Sequence, residues 1–152
     1  MKVLIFPNDP LVAYLKKGEL KARYFNPNNV FDEVHFVTFF DDECSVTDIQ
    51  KTIGNAKGFI HKLSPISLVD MFFPKRRLKD VINKINSLKV DIVRAYNPIF
   101  QGYFAGISSL HLKVPFLISL HGNYDLDIRY QYKVNKDKRY LKYLLSHHYY
   151  HR

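Results

Sequence analysis

A chain of 152 residues, 47% hydrophobic and 15% aromatic, suffices for one domain with a core of its own and needs no disulfide to close it. Its single cysteine, Cys44, excludes an internal bridge, no run of about 18 apolar residues is present to span a bilayer, and residues 1–6 before Pro7 are too short for a signal peptide's apolar core. The formal charge of +9 is unevenly placed, because from residue 129 onward Arg129, Lys133, Lys136, Lys138, Arg139, Lys142 and Arg152 are opposed only by Asp137; such an end fits an anionic partner, whether membrane surface, nucleic acid or phosphorylated substrate.

Residues 2–6 form the first predicted strand, apolar almost throughout, as a strand buried on both faces of a parallel sheet should be. Asn8 and Asp9 lie in the turn Pro7-Asn8-Asp9-Pro10, where Asp9 can cap a helix over residues 11–17 that stops at Gly18. Residues 18–29 mix charge, aromatics and turn formers without periodicity and are expected to loop over the working edge of the sheet. A second strand follows at residues 33–39, and the acidic run Asp41-Asp42-Glu43 after it reads as a solvated loop, because adjacent side chains diverge too far to share a metal. Residues 46–53 are a short helix capped by Ser45 or Thr47, and residues 58–63 a third strand. Residues 64–74 are irregular, with their apolar part expected against the core. Residues 75–88 form an amphipathic helix whose Leu78, Val81, Ile82, Ile85 and Leu88 share one face.

The next stretch is a β-α-β unit: a strand at residues 90–95 running out into Tyr96 and Asn97, a helix at residues 99–112, and a strand at residues 115–120 running out into His121, Gly122, Asn123 and Asp125. Gly102 and Gly106 fall on one face of that helix and permit close packing on the sheet. Beyond Asp125, residues 136–149 are again expected to be helical. Strands alternating with helices predict an α/β fold, a Rossmann-like doubly wound parallel sheet of about five strands with helices on both faces. In such a sheet ligands bind beyond the carboxyl ends of the strands.

The first strand-to-helix turn has two prolines and an aspartate where a dinucleotide-binding protein has G-x-G-x-x-G, and no phosphate loop of the G-x-x-x-x-G-K-[ST] type exists. His121, after a strand and before a glycine, is placed to donate to a developing anion or to exchange a proton; the competing reading is a structural imidazole bonded to a carbonyl. Asp125 either orients it or forms a turn. His147, His148 and His151 lack the intervening glutamate and third ligand of a zinc site, so they read as solvated tail and no metal is assigned. Cys44 reads as an idle buried thiol. The tyrosine-rich basic tail carries no RNP-type stacking module, so nucleic acid is not an expected partner.

The run Val90-Asp91-Ile92-Val93-Arg94-Ala95-Tyr96-Asn97-Pro98, a helix, and then Val114-Pro115-Phe116-Leu117-Ile118-Ser119-Leu120-His121-Gly122-Asn123-Tyr124-Asp125 resembles the core of the amino-terminal half of family 4 glycosyltransferases, the retaining GT-B enzymes. The opening residues, with Lys17-Gly18-Glu19 and Arg23-Tyr24-Phe25-Asn26-Pro27, resemble a subgroup whose first loop is not glycine-rich. The resemblance covers most of the chain, and its His-Gly-x-x-Asp part is the most specific. It implies a domain over residues 1–128 that holds the acceptor, and a basic, tyrosine-rich tail over residues 129–152 leading to a carboxyl-terminal domain that binds the nucleotide sugar through two glutamates eight positions apart. No two of Glu19, Glu33 and Glu43 have that spacing. The resemblance further implies that His121 faces the donor sugar, that Gly18 lies near the acceptor, and that Asn97 and Asp125 line the cleft, with Asn8, Tyr96, Gly122 and Asn123 around it. No cofactor or metal is implied, the nucleotide sugar being a substrate. The implied partners are the donor-binding domain and a sugar or lipid-linked acceptor; separately, the basic residues of the tail, interleaved with tyrosines, predict peripheral contact with an anionic membrane, and the lack of a spanning run or signal peptide predicts a cytoplasmic location, at the inner membrane face. The competing readings are a non-catalytic Rossmann-like binding module and a basic nucleic-acid-binding domain.

Overall fold

The computed structural model describes residues 1–16, 22–40, 43–120, 130 and 133–136. In chain order the elements are β1 (Lys2–Phe6), α1 (Leu11–Lys16), a 3-10 turn (Pro27–Asn29), β2 (Glu33–Thr38), α2 (Val46–Ile53), β3 (Lys57–Lys62), α3 (Leu68–Phe72), α4 (Lys75–Ile85), β4 (Ile92–Ala95), α5 (Phe100–Leu112) and β5 (Phe116–Ile118). The five strands form one sheet in the order β3-β2-β1-β4-β5, with every pairing parallel. This is the expected Rossmann-like α/β arrangement. Its central strand is β1, where Ile5 lies between Phe36 of β2 and Arg94 of β4.

Because side chains alternate across a strand, β1 divides its apolar residues between two cores. Leu4 and Phe6 join Val37, Val93 and Ala95 beneath Val81 and Ile85 of α4 and Phe104 of α5. Val3 and Ile5 join Val34 and Phe36 beneath Leu11 of α1 and Ile49 and Ile53 of α2, together with Phe25 and Tyr96. Each valine, leucine, isoleucine or phenylalanine among them contributes about 1.5–3 kcal/mol by leaving water.

The local signals resolve as follows. Ser45, not Thr47, caps α2: its hydroxyl accepts from the Asp48 amide at 3.3 Å while the Asp48 carboxylate accepts from the Ser45 amide at 2.8 Å. Gly54 ends that helix at φ +63°, a conformation that a side chain would strain. The apolar face of α4 is as expected, with Val81 and Ile85 buried and Leu78 and Ile82 packed against the same core. The helix ends at Ile85, and Leu88 reaches the core from a following turn in which its amide donates to the Ile85 carbonyl at 2.8 Å.

Two segments differ from expectation. The backbone of the described part of the first long loop does not arch over the carboxyl edge, although the Tyr24 and Phe25 rings reach Tyr96 at the end of β4. It is bound to the end of α2, where the Arg23 amide donates to the Lys51 carbonyl at 2.8 Å and the Phe25 amide to that of Thr52 at 2.9 Å. The reason is Phe25 and Asn26, both wholly buried, the Asn26 amide group donating to the carbonyls of Phe31 and Ile53. Residues 64–74 are not irregular throughout either. A capping box between Ser67 and Asp70 starts α3, and Leu68, Val69 and Phe73 point to solvent rather than into the core. Leu63 and Ile66 fill the space under this segment instead.

Candidate functional site

The strand order reverses between β1 and β4, and at that point the connections leaving the two strands part to opposite faces of the sheet. A crevice opens there in sheets of this kind. From β1 the chain runs into Pro7, Asn8, Asp9 and Pro10, and from β4 into Tyr96, Asn97 and Pro98. The two turns are tied together by side chains. The Asn97 Nδ2 donates to the Asn8 Oδ1 at 2.8 Å, and the Gln101 Nε2 donates to the Asn8 carbonyl at 3.3 Å. The Asn97 Oδ1 in turn accepts from the Ile99 amide at 2.7 Å, just ahead of α5. Gly102 sits in the first turn of that helix because a Cβ there would come within 2.8 Å of the Asn97 carbonyl oxygen. A larger residue would push the helix off the loop that carries Asn97.

Below this clasp, on the α1/α2 side of the sheet, lies an aromatic cluster. The rings of Tyr24 and Phe25 are 5.5 Å and 5.3 Å from that of Tyr96, and Tyr14 packs on both Tyr24 and Phe25. Burial pushes up the phenols of Tyr14, Tyr24 and Tyr96, and the Asp9 carboxylate adds to this for Tyr14 and Tyr24. At neutral pH all three therefore remain protonated.

Arg94 extends along the same face. Its guanidinium lies 4.5 Å from the centre of the Tyr96 ring, and its Nε and Nη2 donate to the Ser119 hydroxyl at 3.0 and 2.9 Å. A guanidinium has five N–H groups, and Ser119 supplies one neutral acceptor for two of them. Among the described residues no carboxylate pairs with Arg94. The Ser119 amide donates to the Ala95 carbonyl at 2.8 Å, so β5 reaches the same edge of the sheet as Asn97.

Of the residues singled out in the sequence, Asn8, Tyr96 and Asn97 are brought together here. Gly18, His121, Gly122, Asn123 and Asp125 lie outside the described residues, as does the basic tail apart from Tyr130 and residues 133–136. Arg94, Ser119, Tyr24 and Gln101 belong to the same site and were missed. One signal was available: Arg94 is the only charged residue within β4, and an arginine in an inner strand needs a reason.

A second polar cluster lies on the α4/α5 side, toward the β3 edge. His35 and His61 are stacked with ring centres 5.3 Å apart, the His35 Nδ1 is 3.0 Å from the His61 Nε2, and the His35 Nε2 is 3.4 Å from a Glu33 carboxylate oxygen. Phe59 stacks on His35 at 4.5 Å. Glu33 accepting from His35 and His35 accepting from His61 satisfies each atom in that chain. Burial, then the neighbouring His35 and Lys84, hold His61 down at about 4; burial lowers His35 as well, against the pull of Glu33. Cys44 is buried, as expected of an idle thiol.

The fold is that of a Rossmann-like α/β protein, and its switch point carries this cluster of amide, aromatic and guanidinium side chains. Among the described residues no group of three or more His, Cys, Asp or Glu is arranged to hold a metal, and no helix is long and apolar enough to cross a membrane. Comparison with family models, with curated proteins and with solved structures gave no match in any of the three.

Proposed function

We propose that the chain is the acceptor-side half of a retaining glycosyltransferase of the GT-B type, moving a sugar from a nucleotide donor to a glycan, lipid-linked or small-molecule acceptor. The observation that carries this reading is the placement of β4, α5 and β5. The two stretches that resemble family 4 glycosyltransferases are adjacent parallel strands, and Asn97 at the end of the first is clasped to Asn8 across the switch point. Amide side chains, the protonated phenol of Tyr24 and a guanidinium suit a ligand rich in hydroxyl groups, which offers both donors and acceptors. Neither an asparagine amide nor a phenol held above its ordinary range exchanges protons readily at neutral pH, and in the resemblance the residue that faces the donor sugar is His121, next after Leu120 in the sequence.

On this reading His121 donates a hydrogen bond where negative charge grows as the donor phosphate departs. In an enzyme that joins this chain to a donor-binding domain, His121→Ala should lower turnover by about 100-fold or more with the melting temperature unchanged. Unaltered activity per folded molecule would remove His121 from the mechanism. The 152-residue chain alone should neither hydrolyse nor transfer common nucleotide sugars, since the cleft then lacks the second wall that excludes water. Robust turnover by the isolated chain would overturn the assignment to one half of the enzyme.

A further inference from the structure

We propose that α3 and the first turns of α4 form a docking surface for an anionic lipid bilayer. It depends on this surface alone and not on the sugar-transfer reading. Leu68, Val69 and Phe73 are 64%, 47% and 59% exposed, three large apolar side chains put into water within six residues. Val69 and Phe73 are one helical turn apart, and the Phe73 amide donates to the Val69 carbonyl at 2.9 Å, so the turn that groups these side chains is hydrogen-bonded. Ser67 and Asp70 cap α3 reciprocally, their contacts lying at 2.8–3.2 Å, which fixes a helix too short to persist by propensity alone. Burial raises the Asp70 carboxyl, but the bonds from Ser67 and the nearby Arg77 and Arg76 outweigh this and hold it below its ordinary range.

The cations follow at once. Lys75, Arg76 and Lys79 lie on the first two turns of α4, all exposed, and none forms a salt bridge with a carboxylate among the described residues. Arg77 between them is used internally, donating to the Ser64 carbonyl at 2.8 Å and pairing with Asp80. The turn joining the two helices is tight, the Arg76 amide donating to the Phe73 carbonyl at 3.1 Å, so aromatic and cationic side chains project from one short stretch. Exposed apolar groups rimmed by cations that form no salt bridge among the described residues match the boundary between lipid headgroups and acyl chains, where the first are immersed and the second meet phosphate. A nucleic acid would use the cations and leave Leu68, Val69 and Phe73 in water. Both helices start where β3 ends, so this surface lies at the carboxyl edge of the sheet, as the switch-point crevice does.

The test uses the full chain with vesicles of phosphatidylcholine alone or with about a third phosphatidylglycerol. The protein has no tryptophan, so Phe73→Trp supplies a single reporter. Its emission should shift to the blue on anionic vesicles and stay unchanged on neutral ones. In sedimentation, the combined Lys75→Glu, Arg76→Glu and Lys79→Glu variant should bind at least about 100-fold more weakly, at about fivefold for each cation lost with further repulsion from each glutamate. The combined Leu68→Ser, Val69→Ser and Phe73→Ser variant should lose about tenfold or more while keeping the melting temperature, as its sites are exposed. Unchanged emission of the Phe73→Trp variant on anionic vesicles overturns the proposal. So does wild-type pelleting by both combined variants, which would assign lipid binding to another part of the chain. Sensitivity to the cations without sensitivity to the apolar residues overturns it too, and points to a soluble polyanion.

Discussion

The switch-point crevice and the α3–α4 surface break the usual partition of side chains in opposite directions. In the crevice, polar groups are drawn inward and tied: Asn97 to Asn8, Arg94 to Ser119 and the face of Tyr96. On α3, apolar groups are put outward, and the capping box holds the helix that displays them. An inward polar group is costly unless its bonds are met, so the crevice should be intolerant of change. An outward apolar group adds nothing to the fold, so α3 should tolerate change and show its value only toward a partner.

Two phenylalanines give the sharpest form of this contrast. Phe25 is wholly buried and meets Tyr14, Tyr24, Phe36 and Tyr96. Phe25→Ala should cost about 3–5 kcal/mol in urea unfolding, the usual loss for a core aromatic. Next in size is Asn97→Ala, which removes the donor to Asn8 and the acceptor of the Ile99 amide at once; about 1–3 kcal/mol is expected, and a loss near zero would mean that the clasp is incidental.

Smaller again is the acid sensitivity of the His35–His61 pair. In the unfolded chain a histidine titrates near 6.5, while in the fold His61 is held at about 4, so the unfolded state binds more protons between those values. Stability should be flat from about pH 7 to about pH 9, above which the raised phenols lower it, and should fall as pH drops from about 6.5 toward about 4. The lowered carboxyls of Asp32, Glu33, Asp48 and Asp70 release their share only at more acid pH, so the upper part of the window belongs to the histidines. Because His61 is only partly buried, about 1 kcal/mol is expected after solvent screening. His61→Gln should flatten the urea midpoint between about pH 6.5 and about pH 5, and an unchanged slope would place the sensitivity elsewhere. The smallest effect is that of Phe73→Ser, which should change stability by no more than about 0.5 kcal/mol. A loss like that at Phe25 would show that α3 packs on the protein after all.

How much of this was legible in the sequence follows from how local each signal is. Asn8, Tyr96 and Asn97 could be picked out because polar residues directly ended apolar runs, and the sheet itself followed from alternating strands and helices. Arg94 and Ser119 could not be paired that way, because they meet only through the β4–β5 register, 25 residues apart. His35 and His61 are 26 residues apart on neighbouring strands and are equally silent. The capping box of Ser67 and Asp70 was readable, yet on sequence alone Leu68, Val69 and Phe73 are expected in the core. A helix of five residues is too short for its apolar pattern to say which way it faces.

The central claim, that the switch-point crevice receives the acceptor, is tested most directly by titrating the isotope-labelled chain with a panel of glycosides and following its side-chain NMR signals. The account predicts that at least one glycoside shifts the amide groups of Asn8 and Asn97 and the Arg94 Nε–H together, saturably, and that Asn97→Ala abolishes the response while the fold persists. Glycoside-induced shifts confined to other parts of the chain, or none from any glycoside in the panel, would contradict it.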